Sequence, residues 1–260
     1  MPQFARYIGI DYSGAETPTS SLSGLRVYVA EGMSSPKEIL PLPSPRKFWT
    51  RHGVAEFLRM ELLGPQPLLV GIDHAFSFPL QYFEKHHLPL DWHAFLDDFQ
   101  RHWPTDEGNT YVRFVSNENR REARKRMGDP VWFRLTDLWT PSAKSVFQFN
   151  VQGQVATSTH AGLPWLRYLR AQCGSKVHFW PFEGWDFPAH CSVVAEVYPS
   201  LWMRRFPREG RNSDQHAAYS VAAWLQRADV NGWLARYLDP ALTPEERSIA
   251  KVEGWILGVV

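Results

Sequence analysis

Two segments of this 260-residue chain end on the same three residues, Ile8-Gly9-Ile10-Asp11 and Val70-Gly71-Ile72-Asp73. Each is an apolar run that closes on a carboxylate. An ionised carboxylate at the end of a buried strand is costly unless it is paired, hydrogen-bonded or bound to a metal. If the two strands lie parallel and adjacent, their ends sit about 4.8 Å apart and both carboxylates reach one small volume. They then repel each other, and a divalent cation resolves the repulsion. Glu196 is a third candidate, the lone acid inside Val193-Val194-Ala195-Glu196-Val197-Tyr198. Asp214 is a fourth: it precedes Ala217 and Ala218 by three and four residues, which puts it on the same helix face, the one expected to pack on a sheet. An oxygen-only set of this kind suits Mg²⁺ or Mn²⁺ better than zinc. Each acid also has a structural explanation. Asp11 could start a turn at Ser13-Gly14, Asp73 could cap the following segment, Glu196 could pair with Arg204 or Arg205, and Asp214 could be a helix-start acid. The conjunction of the four favours a site.

These acids need particular elements to hold them. Phe4 to Ile10, Leu25 to Ala30 and a weak segment at Glu38 to Leu40 read as an antiparallel meander. Val54, Phe57, Leu58 and Leu62 have helical spacing, and Pro67 to Asp73 returns to a strand. Residues 80 to 140, rich in His, Trp and charge, read as an insertion with helical pieces inside one domain spanning 1–260. A helix is expected over Leu163 to Arg170, with Pro164 in its first turn, then strands at Val177 to Trp180 and Ser192 to Tyr198. Ser213 is a plausible N-cap for a helix over Asp214 to Arg227. Meander first, then alternation of strand and helix, makes a mixed α/β sheet the expected class.

Composition sets bounds on function. Lys and Arg total 28 against 27 Asp and Glu, so a uniformly basic nucleic-acid coat is excluded. With 44% hydrophobic and 21% charged residues the chain has ample apolar area for a core, and disorder is not expected. Cys173 and Cys191 show no paired spacing and read as buried thiols, and the absence of a leader or a spanning apolar run predicts a cytoplasmic protein without a membrane partner. Charge is patchy within the neutral total. Arg120 to Arg126 carries five basic residues and one acid, and Arg204, Arg205 and Arg208 lie just ahead of Asp214, where they could hold phosphate. His74 and His216 neighbour two of the acids as candidate proton-transfer groups. The twelve Trp read chiefly as core anchors, with a base-stacking surface as the alternative. His86, His87 and His93 match no strong metal pattern, and Lys144 to Gly153 could line a groove or form a hairpin.

Taken in order, Ile8-Gly9-Ile10-Asp11, Gly71-Ile72-Asp73 followed by Phe78-Pro79, Ala195-Glu196-Val197-Tyr198-Pro199, the Asp214 helix and Glu253-Gly254-Trp255-Ile256 resemble the domain of unknown function 429 family. Where family members carry a longer acidic run at the helix aspartate, this chain has a single acid. The resemblance implies a ribonuclease H-like fold, a five-stranded mixed sheet with its first and fourth strands adjacent, and Asp11, Asp73, Glu196 and Asp214 as catalytic metal ligands. It further implies a nuclease dependent on Mg²⁺ or Mn²⁺, with a nucleic acid or nucleotide as substrate and phosphodiester hydrolysis assisted by two cations. Alternative expectations are a nucleotide-binding phosphotransferase or hydrolase of the actin-like type, to whose first phosphate loop Asp11-Tyr12-Ser13-Gly14 is similar, and a non-catalytic binding module.

Overall fold

A computed structural model describes residues 2–42, 47–116, 121–149 and 155–260. The chain begins with the expected meander: β1 (Arg6–Asp11) pairs antiparallel with β2 (Arg26–Glu31), which pairs with the short β3 (Lys37–Glu38). Thr50 caps α1 (Arg51–Leu62) by accepting from the Gly53 amide at 2.9 Å, and the chain then re-enters the sheet as β4 (Leu68–Asp73), parallel to β1. Five helices follow, α2 (Leu80–Lys85), α3 (Trp92–His102), α4 (Val112–Ser116), α5 (Arg121–Lys125) and α6 (Leu135–Trp139). The long α7 (Ala156–Cys173) leads into β5 (Val177–Trp180) and β6 (Ser192–Glu196). The chain ends with α8 (Ser213–Val230), α9 (Leu234–Leu238) and α10 (Pro244–Glu253).

The result is an α/β architecture whose six-stranded mixed sheet runs β3-β2-β1-β4-β6-β5 and is flanked by helices. β1, β4, β6 and β5 are mutually parallel. The sheet has one strand more than the resemblance implies, because β5 adds a parallel edge beyond β6. Strand alternation divides the core in two. Ile8, Ile10, Val70, Ile72 and Val194 face α1, α7 and the segment from α2 to α6, where Phe78, Tyr82, Phe95, Phe99 and Phe147 interlock. Tyr7, Leu69, Val193 and Ala195 face the opposite way, toward Val221, Trp224 and Leu225 of α8 and Trp255 beyond α10.

Several boundaries differ from expectation for identifiable reasons. α7 starts seven residues before Leu163, so Pro164 lies inside it rather than in its first turn. Proline removes the amide that would bond the His160 carbonyl, and the Thr105 hydroxyl donates to that carbonyl instead, at 2.6 Å. α8 is capped by Asn212, not Ser213. The Asn212 side chain accepts from Gln215 N at 2.8 Å, and the Gln215 side chain accepts from Asn212 N at 3.1 Å. Within Lys144 to Gly153 the described part, 144–149, is neither strand nor groove wall: Val146 and Phe147 are core residues, while 150–153 lie outside the described residues. Eight of the twelve Trp are buried and only Trp139 and Trp233 are strongly exposed, which fits anchors rather than a stacking platform. Both cysteines are buried free thiols. Among the described residues no helix is long and apolar enough to cross a membrane.

Candidate active site

The repeated Gly-Ile-Asp places each of its residues for a different reason. Gly9 and Gly71 are register partners on β1 and β4, and both lie under α8. A Cβ on Gly9 would fall 2.3 Å from the Ala218 carbonyl oxygen, and one on Gly71 would fall 2.8 Å from Val221 Cγ1. Helix and sheet therefore approach more closely than any side chain at these positions would allow. The isoleucines turn to the opposite face and enter the larger core. Two residues after each glycine the pleat returns to the α8 face, where Asp11 and Asp73 stand opposite each other in parallel register. Asp214, in the first turn of α8, is carried to the same place. Its Oδ2 and the Ser13 side chain approach one face of Gly24, at 3.6 and 3.7 Å from where a Cβ would stand.

The electrostatics follow from this crowding. Burial raises Asp11 well above the ordinary carboxylate range, and the charges of Asp73 and then Asp214 raise it further. Burial pushes Asp73 up to about 7, with the charge of Glu196 next in weight. The two aspartates lie within hydrogen-bonding reach of each other, so without a cation they share a proton. Arg26, the β2 partner of Asp11, exerts a smaller opposing pull while pairing with Glu38 at 2.9 Å.

Glu196 does not join this group as a free ligand. Its register partner is Ile72, not Asp73, so alternation turns it to the opposite face of the sheet. There Arg134 takes both oxygens, Nη1 to Oε2 at 2.7 Å and Nη2 to Oε1 at 2.6 Å, and the Phe76 amide donates to Oε2 at 3.1 Å. Arg134 also pairs with Asp137 at 2.9 Å, so one buried cation bridges two buried acids. The expected partners, Arg204 and Arg205, are instead exposed on a single turn, Met203–Arg205, ahead of α8. Arg208 is exposed as well, and its Nε donates to the Arg211 carbonyl at 2.7 Å. Glu253 is structural, since its oxygens accept from Leu80 N and Leu135 N, each at 2.6 Å, and so tie the starts of α2 and α6 to the end of α10.

Neither histidine beside the acids serves proton transfer. His74 lies on the far face against Gly162, with its ring 4.7 Å from Tyr12 and Nδ1 2.9 Å from the Ala75 carbonyl. Burial pulls its pKa down to about 4, so it is neutral. The His216 ring bonds the Met203 carbonyl at 3.0 Å and anchors the turn before α8. In the Arg120 to Arg126 cluster, Arg120 lies outside the described residues and Arg126 pairs with Asp98 at 2.9 Å. His86, His87 and His93 form no metal cluster among the described residues.

No family model, no curated protein and no solved structure matches this chain. The site must speak through its own chemistry. Among the described residues no group of three or more His, Cys, Asp or Glu is arranged to hold a metal ion. What the geometry offers is two carboxylates side by side with a third acid within electrostatic reach. That donor set fits a small, hard cation that keeps several waters and is held by one or two carboxylates plus its substrate, the habit of Mg²⁺ and Mn²⁺. Arg134 and Arg26 were missed in the sequence. Arg134 left one signal, an acid three residues on at a helix start, whereas Arg26 is a single cation within a strand.

Proposed function

We propose that this protein is a divalent-cation-dependent phosphodiesterase with a ribonuclease H-like fold, related to the domain of unknown function 429 family and acting on a nucleic acid or nucleotide. One observation carries the reading: Asp11 and Asp73 sit in parallel register on adjacent central strands, on the sheet face where Asp214 enters from α8. The strand order supports the fold assignment, with an antiparallel meander feeding a parallel β1–β4 pair. Asp11 and Asp73 would hold Mg²⁺ or Mn²⁺, with Asp214 at the rim. When bound, such a cation supplies Lewis-acid polarisation of a phosphoryl oxygen and a water activated at neutral pH.

The chain's own residues supply the rest. The acid pair releases its shared proton on binding a cation, which ties occupancy to pH. Arg134 bridges Glu196 and Asp137 on the opposite face of the sheet, so of the strand-end acids only the Asp pair faces the substrate side. Arg204 and Arg205, exposed just before α8, would contact phosphates flanking the scissile one.

The test is hydrolysis of RNA, DNA and a simple phosphodiester with Mg²⁺ or Mn²⁺. Asp11→Asn and Asp73→Asn should each abolish it with the fold intact, whereas Glu196→Gln should retain cation-dependent activity. Cleavage that survives Asp11→Asn, or the absence of cation-dependent hydrolysis on all three substrate classes, refutes the reading.

A further inference from the structure

Hydrolysis assisted by two cations needs a carboxylate shared between the ions and further donors on both sides of it. The strand ends fix what stands on each side of the acid pair. On the β6 side, the neighbour of Asp73 is Val197, the residue after Glu196. Its amide donates to the Ile72 carbonyl at 3.1 Å, and its Cγ1 lies on the α8 face, 2.8 Å from where a Cβ on Gly71 would stand. That flank is apolar. On the β2 side, the register partner of Asp11 is Arg26. Alternation along β2 puts Arg26 on the face of Tyr28, which packs on Ala218 and Ala222 of α8, and so on the face of Asp11 itself. Across β6, β4, β1 and β2 the row therefore reads Val197, Asp73, Asp11, Arg26.

Arg26 is locked in that row. The residue is only 7% exposed. Its guanidinium lies 4.8 Å from the Phe48 ring centroid, and Nη1 donates to Glu38 Oε1 at 2.9 Å. Glu38 is held in turn by the start of α8, since the Gln215 side chain donates to its Oε2 at 2.7 Å. Arg26 Nε is buried as well and has no partner among the described residues, so Glu38 does not engage the whole guanidinium. Facing residues of an antiparallel pair stand about 5 Å apart, and paired catalytic cations about 4 Å apart. A positive side chain thus stands beside Asp11 at about the separation of a second ion. Asp214 reaches the same face over Gly24, where no side chain competes, and completes one set of three acids.

We propose that the acid site takes a single divalent cation, and that Arg26 stands where two-cation hydrolysis requires the second. The inference rests on the reading of Asp11 and Asp73 as a cation site and narrows it from two ions to one. A guanidinium fixed between Glu38 and Phe48 offers a permanent positive charge at that place, with no ion to bind or lose. It also repels a second cation from Asp11.

The experiment counts the Mn²⁺ bound to the full chain by electron paramagnetic resonance, reading the free ion and taking the bound ion by difference. The Asp11→Asn/Asp73→Asn double variant sets the background of surface binding. Above that background the wild type should bind one Mn²⁺ per chain, without spin coupling between ions. Arg26→Gln removes the charge and frees Glu38, so the count should rise to two, with the spin-coupled signal of a pair. Arg26→Lys, which keeps the charge, should hold the count at one. An Arg26 with a structural role alone predicts weaker binding in Arg26→Gln and never an added ion. Two ions in the wild type or in Arg26→Lys, or only one in a folded Arg26→Gln protein, overturn the proposal and leave the cation site standing. If Arg26→Gln unfolds, the wild-type count decides. A wild type that binds no more Mn²⁺ than the double variant overturns the cation reading itself.

Discussion

Gly9→Ala tests whether α8 is set at its height over the sheet by the absence of a side chain. The new Cβ would lie 2.3 Å from the Ala218 carbonyl oxygen and 2.5 Å from the Ala222 amide nitrogen. Both are backbone atoms of one helix and neither can rotate aside. Restoring ordinary contact requires α8 to rise by about 1 Å. Overpacking of this kind costs about 1–3 kcal/mol, and the rigid neighbour puts Gly9 at the upper end. Alanine recovers about 0.5–1 kcal/mol through backbone entropy in a strand. The net expectation is a loss of about 2 kcal/mol, a fall in Tm of roughly 4–8 °C for a chain of this size. Urea denaturation reads it as a lowered midpoint at unchanged slope. The control is Gly108→Ala, where nothing lies within 4 Å of the added Cβ and the change should stay within about 0.5 kcal/mol. Because Asp214 lies one turn from Ala218, Gly9→Ala should also weaken the thermal shift produced by Mg²⁺. A Gly9→Ala protein as stable as the Gly108→Ala control would refute the close approach and with it the placement of Asp214.

Further expectations follow from the buried charges. Asp73, raised to about 7, contributes stability that is complete below about pH 4 and is lost as pH rises through 7. At most about 4 kcal/mol is involved. In EDTA the wild type should therefore lose Tm between pH 4 and 7 more steeply than Asp73→Asn, and identical profiles would count against the shared proton. Arg134→Met strands two buried acids and should cost about 3–5 kcal/mol, against a smaller loss for Glu196→Gln, which leaves Asp137 to balance Arg134; chemical denaturation of both variants checks the order. Thr105→Val removes the donor to the His160 carbonyl and should cost about 1–3 kcal/mol, and a neutral result would show that the carbonyl finds another partner.

The strands were legible because apolar runs broken by turn residues leave few alternatives: five of the six fall where that pattern puts them, while β3 (Lys37–Glu38) meets its expected segment, Glu38 to Leu40, at Glu38 alone. The Asp11–Asp73 pair was legible for the same reason, since a repeated Gly-Ile-Asp predicts two equivalent strand ends. Glu196 was misread because a strand acid shows its spacing but not its register, and one step of register changes the face it occupies. Its real partner, Arg134, is remote in sequence, at the residue just before the short helix α6, which carries no strong periodicity. The proline in α7 misled for another reason: its cost is relieved by Thr105, a contact made across the fold and invisible along the chain.

The parallel pairing of β1 with β4, and the seating of α8 on both, has a bearing on how the molecule is made. The three aspartates come from the beginning, the first third and the last quarter of the chain, so no local segment can bring any two of them together. Closing such long loops carries an entropic cost before any contact compensates it, which makes this part of the fold slow to nucleate. A nascent chain therefore carries no preformed acidic centre, and the centre comes into being only when nearly all of the polypeptide is present and docked.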